Sequence, residues 1–181
     1  MVRGNHCPRY HAMCRELWTT RPAPEVLREK NKYADFWRNV KKHAGIPQET
    51  ELADLWFVSD ALFIEKLSGR SLPDWVDDTV YEHLMEYKDL NFKMMVYNRT
   101  LARLAGGNLL CDIQKNMKTR LKGGTTKKVY VYSAHDDTVA PLLAALDVYN
   151  NIAPPYASSV MLELWENEKK VRGSNTFFDA H

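Results

Sequence analysis

The chain has 181 residues, of which 45% are hydrophobic, which is typical of one globular domain or a large part of one. Its formal net charge of +2, from 25 basic and 23 acidic residues, is too even to predict a nucleic-acid surface. No apolar run approaches the roughly 20 residues of a membrane-spanning helix, and the opening residues lack the apolar core of a signal peptide. We therefore expect no nucleic-acid partner, and neither a signal peptide nor a membrane anchor within this sequence.

The first two thirds of the chain are predicted to be helical. Apolar residues recur every three or four positions in four segments, and glycine lies at or just after the end of each segment. The four segments are residues 25–44, 49–70, 77–107 and 108–121. The third segment is expected to form one long helix, or a kinked pair of helices, that ends at Gly106-Gly107. We therefore predict that residues 1–126 are mainly α-helical.

A strand-like region follows. The alternating Val and Tyr residues from Lys128 to Ala134 predict an interior strand with both faces covered, and the apolar spacing after it predicts a helix. The tetrad His135-Asp136-Asp137-Thr138 lies between them and is predicted to be a strand-to-helix turn. Residues 154–168 supply a second strand. Because a two-stranded sheet is only marginally stable in water, this sheet is expected to be incomplete.

The tetrad combines groups that are costly to bury, which suggests chemistry at the turn. Ligands of open α/β sheets gather beyond the carboxyl ends of strands, where helix N-termini attract anions. A protonated His135 could hold a phosphoryl oxygen, and a protonated Asp136 could give its proton to a departing alkoxide. The alternative is that Asp136 or Asp137 is only a helix N-cap and His135 a core histidine.

Several short motifs resemble one family. The segment VYVYSAHDDTVAPLLAALDVYN, followed by PPYASS, resembles the second signature of the histidine acid phosphatases of the lysosomal and prostatic type. Further matches, in the same order as in the family, are CPRY at Cys7 to Tyr10, LW at Leu55-Trp56, LPDW at Leu72 to Trp75 and GGNLL at Gly106 to Leu110.

The resemblance implies part of a three-layer αβα histidine-phosphatase fold. Residues 1–126 would form mainly its α-helical cap, and residues 127–166 a strand, the HD turn, a helix and a strand of the catalytic α/β domain. Residues 167–181 would be a divergent tail, because they depart from the hairpin and return strand expected there.

The resemblance also implies an activity, the hydrolysis of small phosphate monoesters through a phosphohistidine intermediate, without a metal or cofactor. His135 matches the phosphate-contacting histidine, and Asp136 matches the general acid. Trp56 matches a tryptophan that lines the phosphate pocket, although a tryptophan at helical spacing is as readily a core residue. The family nucleophile lies in an R-H-G-x-R-x-P motif, and none of the six histidines stands in one. We therefore expect the chain alone to be inactive.

The family resemblance implies a lysosomal or extracellular location and is compatible with a homodimer of the complete protein. Two other hypotheses stay open. The chain could be a short, nucleophile-free relative that acts as a binding or interaction module, or an independent helical module in which the tetrad is only a cap.

Some features depart from the family pattern. Ser159 and Ile64 stand where the family has two bridged cysteines. Cys7 resembles a cysteine whose partner lies near the family's C-terminus, which would explain why the three cysteines, Cys7, Cys14 and Cys111, form no even disulfide set. The sequence Asn98-Arg99-Thr100 is a glycosylation sequon, but its position inside a predicted helix favours coincidence.

Overall fold

A computed structural model describes residues 7–124, 127–168 and 172–179. In these residues, seven α-helices and one 3₁₀ turn precede a two-stranded antiparallel sheet. The helices are α1 (Pro8–Trp18), α2 (Pro24–Lys32), α3 (Ala34–His43), α4 (Trp56–Leu67), α5 (Asp78–Met95), α6 (Arg99–Leu121) and α7 (Asp136–Ala145). The strands are β1 (Ser159–Glu166) and β2 (Arg172–Asp179), and the 3₁₀ turn is Leu52–Leu55.

The chain divides into two compact units. The helical unit spans His11–Met94, and the mixed unit joins Met1–Tyr10 to Met95–His181. The mixed unit therefore contains α6, α7 and the sheet. None of the described helices has both the length and the apolar character needed to cross a membrane.

The segment predicted as one helix over residues 25–44 is two helices. Tyr33 leaves the helical conformation, with φ of −109° and ψ of 21°, and separates α2 from α3. Its ring centroid lies 4.0 Å from that of His83, and the Phe36 ring lies 4.5 Å from the same imidazole. Tertiary packing around His83 thus accompanies a break that the apolar periodicity does not show.

The core of the helical unit lies between these helices and α4 and α5. The Tyr87 hydroxyl donates a hydrogen bond to the carbonyl of Leu52, which ties α5 to the 3₁₀ turn. Burial of Tyr87 raises the pKa of its phenol. The least exposed apolar side chains of this unit are Val26, Val40, Leu55, Leu84, Tyr87 and Met94.

The expected helix end at Gly106-Gly107 is wrong. The chain breaks earlier, at residues 96–98, and α6 then continues through both glycines. Asn98 caps α6, because its Oδ1 accepts a hydrogen bond from the amide of Leu101 at 3.0 Å. Gly106 serves close packing instead, since a β carbon there would lie 2.1 Å from the carbonyl oxygen of Pro141 in α7.

The strand predicted over Lys128 to Ala134 is absent from the structure, where this described segment has neither helix nor strand. A strand needs a hydrogen-bonded neighbour, and the only strand pair among the described residues is β1 with β2. Val129 and Val131 are accordingly 74% and 86% exposed. The sequence carries the strand pattern, but no described strand lies beside it.

The expectation that the tail would not form a return strand is also wrong. β2 pairs antiparallel with β1, with Ser159 opposite Asp179 and Glu166 opposite Arg172. Gly173, Ser174 and Asn175 make β2 a poor strand former by composition, and pairing with β1 overrides that preference. The absence of a side chain at Gly173 matters here, since a β carbon would lie 2.5 Å from the indole of Trp165.

Candidate active-site turn

The turn that holds His135 and Asp136 is the start of α7 in the mixed unit. α7 is kept in place by its buried face, which is Ala140, Pro141, Leu142 and Leu143. This face packs on α6, where Gly106 lets the two backbones approach closely. The tetrad lies at the start of this packed helix, where His135, Asp136 and Asp137 are exposed.

His135 is the N-cap of α7, with extended dihedrals of φ −120° and ψ 168°. Its carbonyl accepts hydrogen bonds from the amides of Thr138 and Val139, at 2.9 and 3.0 Å. Its side chain makes no capping hydrogen bond and is exposed. The alternative with Asp136 or Asp137 as the N-cap and His135 in the core is therefore wrong, because His135 caps the helix through its backbone.

Asp136 and Asp137 are the first two helical residues, and both side chains are exposed. Oδ1 of Asp136 accepts a hydrogen bond from the amide of Asp137 at 2.8 Å. The Thr138 hydroxyl donates to Oδ1 of Asp137 at 3.3 Å. Carboxylates in a first turn are stabilised by the partial positive charge of the helix N-terminus, which also favours bound anions.

The arrangement can do two things chemically. An exposed imidazole at the positive end of a helix dipole can hold an anionic group, and the neighbouring carboxyl group of Asp136 can supply a proton to it. Because His135 and Asp136 are consecutive and both exposed, one bound group could contact both.

The segment before the turn is anchored to α6. The Tyr132 hydroxyl donates to Oδ2 of Asp112 at 2.9 Å and accepts from Nδ2 of Asn116 at 3.0 Å. Burial raises the pKa of the Tyr132 phenol, and the hydrogen bond to Asp112 raises it further. Sequence reasoning missed this anchor. The available signal was the spacing of Asp112 and Asn116, which places both polar groups on one face of a helix.

Trp56 lies in the helical unit, at the first position of α4. Its side chain is 55% exposed, so the interpretation of Trp56 as a core residue is wrong. Its ring lies edge-on to that of Phe57, with centroids 6.4 Å apart. A pocket-lining role for Trp56 stays a prediction.

A second polar cluster, also missed from the sequence, is buried in the helical unit. Glu29 is only 2% exposed, and its Oε2 accepts a hydrogen bond from Nε1 of Trp37 at 3.1 Å. Nε2 of His83 lies 2.9 Å from the same oxygen. The available signal was an acidic residue on an otherwise apolar face, since Glu29 and Trp37 stand eight residues apart in the helix predicted over residues 25–44. The surroundings are aromatic and closed, which suits a structural role.

Among the described residues, two open surface depressions of about 390 and 310 Å³ lie along α6. The first is lined by polar and basic side chains of α6, and the second lies between α6 and the hairpin, beside Met117 and Leu164. Neither is lined by His135 or Asp136. In the described parts of the chain, no group of three or more His, Cys, Asp or Glu side chains could hold a metal ion.

The cysteines form no disulfide within the described residues. Cys7 and Cys14 are half-buried, and Cys111 is exposed on α6. Ser159 is the first residue of β1, and Ile64 lies in α4.

Comparison with known proteins identifies the family. Residues 3–178 match the sequence model of the histidine phosphatase superfamily, branch 2. The chain is 38% identical over 165 residues to lysosomal acid phosphatase of Homo sapiens, which covers 90% of this chain and 38% of the relative. It is 37% identical over 166 residues to lysosomal acid phosphatase of Xenopus laevis, with coverage of 90% and 38%. Prostatic acid phosphatase of Mus musculus is 35% identical over 167 residues, with coverage of 90% and 42%.

The chain thus spans about two fifths of the length of the curated relatives it matches. The family match extends to residue 178, so it includes β2 as well as the His135-Asp136 turn. The helices and the two-stranded sheet are consistent with part of an α/β histidine-phosphatase domain, which confirms the predicted fold class. The chain belongs to branch 2 of the histidine phosphatase superfamily.

Proposed function

We propose that the whole protein is an acid phosphatase that hydrolyses small phosphate monoesters through a phosphohistidine intermediate. The observation that carries the proposal is the exposed His135-Asp136 pair at the N-terminus of α7, in a chain of this family. Relatives named acid phosphatases support it.

His135 is proposed to bind a phosphoryl oxygen together with the amides that begin α7. In the first step, a nucleophilic histidine forms a nitrogen–phosphorus bond while the ester oxygen–phosphorus bond breaks. Asp136 donates its proton to the departing oxygen, so the alcohol leaves neutral. Water then hydrolyses the phosphohistidine and releases phosphate. Trp56 is proposed to line the pocket for the phosphate.

The nucleophile is not among the residues of this sequence, because no R-H-G-x-R-x-P segment occurs in it. We therefore propose that the 181-residue chain alone is inactive. The reaction needs no metal or cofactor in this proposal. The proposed location is the lysosome or the extracellular space.

The test uses a protein in which this chain is extended upstream to include an R-H-G-x-R-x-P segment. Asp136→Asn should lower turnover of alkyl phosphates strongly, by about 10² to 10⁴ if general acid catalysis is typical. It should affect nitrophenyl phosphates much less, because nitrophenolate leaves without a proton. His135→Ala should weaken turnover of both, since both must be bound.

Asp137→Thr is the matched control, because it changes the neighbouring carboxylate of the same helical turn and should leave the leaving-group contrast intact. Equal losses for both substrate classes in Asp136→Asn would refute its role as general acid. Turnover by the 181-residue chain alone that disappears in His135→Ala would refute the proposed inactivity of the chain.

The alternative, a nucleophile-free binding module, is favoured by the missing motif alone. It predicts that the gene encodes no R-H-G-x-R-x-P segment upstream and that the chain binds phosphate or vanadate without turnover. Finding that segment in frame would exclude this alternative.

A further inference from the structure

Asn98, the acceptor residue of the single glycosylation sequon, lies just outside a helix, contrary to the expectation from the apolar pattern, and Arg99 and Thr100 are the first two residues of α6. Asn98 precedes the first residue of α6 and has extended dihedrals, with φ of −139° and ψ of 167°. Asn98, Arg99 and Thr100 are all exposed. The chain breaks at residues 96–98, so the helix predicted to run through Asn98 does not enclose its side chain.

The two ends of the Asn98 amide have different roles. Oδ1 accepts the capping hydrogen bond from Leu101, whereas Nδ2 makes no hydrogen bond to any described residue. N-linked glycosylation uses the nitrogen and leaves the oxygen as an acceptor. A glycan on Asn98 would therefore keep the cap of α6.

We propose that Asn98 is an N-glycosylation site whose glycan extends from the start of α6 into solvent. The new bond joins Nδ2 of Asn98 to the anomeric carbon of an oligosaccharide. The donor is an oligosaccharide linked to a polyprenyl pyrophosphate, the pyrophosphate is the leaving group, and Nδ2 loses one proton. Thr100 supplies the hydroxyl that the sequon requires. The natural use of the site rests on the lysosomal or extracellular location proposed above.

In the experiment, the 181-residue chain is translated with a cleavable secretion signal at its N-terminus, in the presence of microsomes. We expect the mass of the chain to increase by one oligosaccharide. Peptide N-glycosidase should remove this oligosaccharide and, in doing so, convert Asn98 and no other asparagine to aspartate. Thr100→Ala should abolish the increase, and Thr100→Ser should retain it. Because microsomes supply translocation and need no phosphatase activity, this result is independent of the proposed function.

An unmodified Asn98 peptide from translocated chain would overturn the proposal, as would a mass increase that persists in Thr100→Ala. Folding does not limit this readout, since the modification is measured on the translocated chain itself.

A second measurement tests the geometry of the cap in the folded, glycosylated chain. Removal of the glycan without denaturant should leave the thermal midpoint nearly unchanged, because aspartate also caps helices well. Asn98→Ala removes the cap and should lower the midpoint by about 2–4 °C. Asn98→Asp, which cannot carry the glycan, is the matched control and should not lower it. A fall on glycosylation as large as that of Asn98→Ala would show that the glycan disrupts the cap and would overturn the exposed-site geometry.

Discussion

Pro141 of α7 lies directly against Gly106 of α6, so close that a β carbon on Gly106 would come within 2.1 Å of the Pro141 carbonyl oxygen. This contact joins the two helices whose packing holds the His135-Asp136 turn. Backbone atoms cannot move aside as a flexible side chain can. The position therefore tolerates no side chain without a shift of α7.

Gly106→Ala is expected to destabilise the chain, by about 1–3 kcal/mol, because the clash with Pro141 exceeds the gain in helix propensity. Gly107→Ala is the matched control in the same helix, since a β carbon there meets nothing within 4 Å. It should stabilise by about 0.5–1 kcal/mol. Denaturant unfolding of both variants measures the difference, and an equal gain in stability for the two would contradict the close contact.

The buried cluster of Glu29, Trp37 and His83 predicts a large effect of removing its shared acceptor. Glu29→Ala should lower the free energy of unfolding by about 1–3 kcal/mol or more, because the indole donor of Trp37 would stay buried without its partner. Glu49→Ala removes an exposed carboxylate and should change stability by less than about 0.5 kcal/mol. Thermal or urea unfolding measures the change in the free energy of unfolding for both variants. Equally small changes for Glu29→Ala and Glu49→Ala would contradict a stabilising role of Glu29.

The ion pair between Lys93 and Glu25 predicts a pH-dependent contribution to stability. Nζ of Lys93 lies 2.6 Å from Oε1 of Glu25, and this hydrogen bond holds the pKa of Glu25 below its ordinary value of 4.5, although burial of the carboxyl group opposes it. A carboxyl group with a lowered pKa stabilises the fold above its unfolded pKa, and the contribution is lost as the pH falls through the folded value.

Near pH 7, the free energy of unfolding of Glu25→Gln should therefore be lower than that of the wild-type chain by about 0.2–1 kcal/mol, as for a partly exposed ion pair. The difference should shrink as the pH falls below the ordinary value of 4.5. Unfolding curves between pH 7 and acid conditions measure it, with Glu49→Gln as the control at an exposed carboxylate. If the difference in stability between Glu25→Gln and the wild-type chain grew as the pH fell, the predicted contribution of this ion pair would be contradicted.

The exposed apolar side chains of Val129 and Val131 predict self-association of the 181-residue chain. The double variant Val129→Thr, Val131→Thr should associate less, because threonine keeps the shape but is hydrated at the hydroxyl. Val148→Thr changes another exposed valine, outside this segment, and is the control. Sedimentation velocity over a concentration series measures the change, and a strictly monomeric unmodified chain would contradict the prediction.

Much of the helical architecture follows from the sequence, because amphipathic periodicity reports which side of a helix must leave water. The apolar spacing predicts the mainly helical character of residues 1–126 and the helix after His135. The glycines and the tail could not be interpreted in the same way. Gly106 looks like a helix stop, but its function depends on how closely α7 approaches.

The site shows the same division. The sequence placed His135 and Asp136 at the start of a helix, and their residue types and surrounding motif indicate the family. The Tyr132 hydroxyl donates to Asp112, 20 positions away, and accepts from Asn116, 16 positions away, and sequence periodicity does not report such pairs.

The sequence by itself determined the helix faces, the family and the identity of the turn residues, because these depend on local spacing and residue type. The tertiary structure decided that β2 pairs with β1, that Tyr33 separates two helices and that α6 continues through Gly106-Gly107. Each of these outcomes is accompanied by a contact with a neighbour distant in sequence: β1 for the tail, His83 for Tyr33 and Pro141 for Gly106. A local preference of at most about 1 kcal/mol per residue is easily outweighed by such contacts, which is why only the folded chain reveals them.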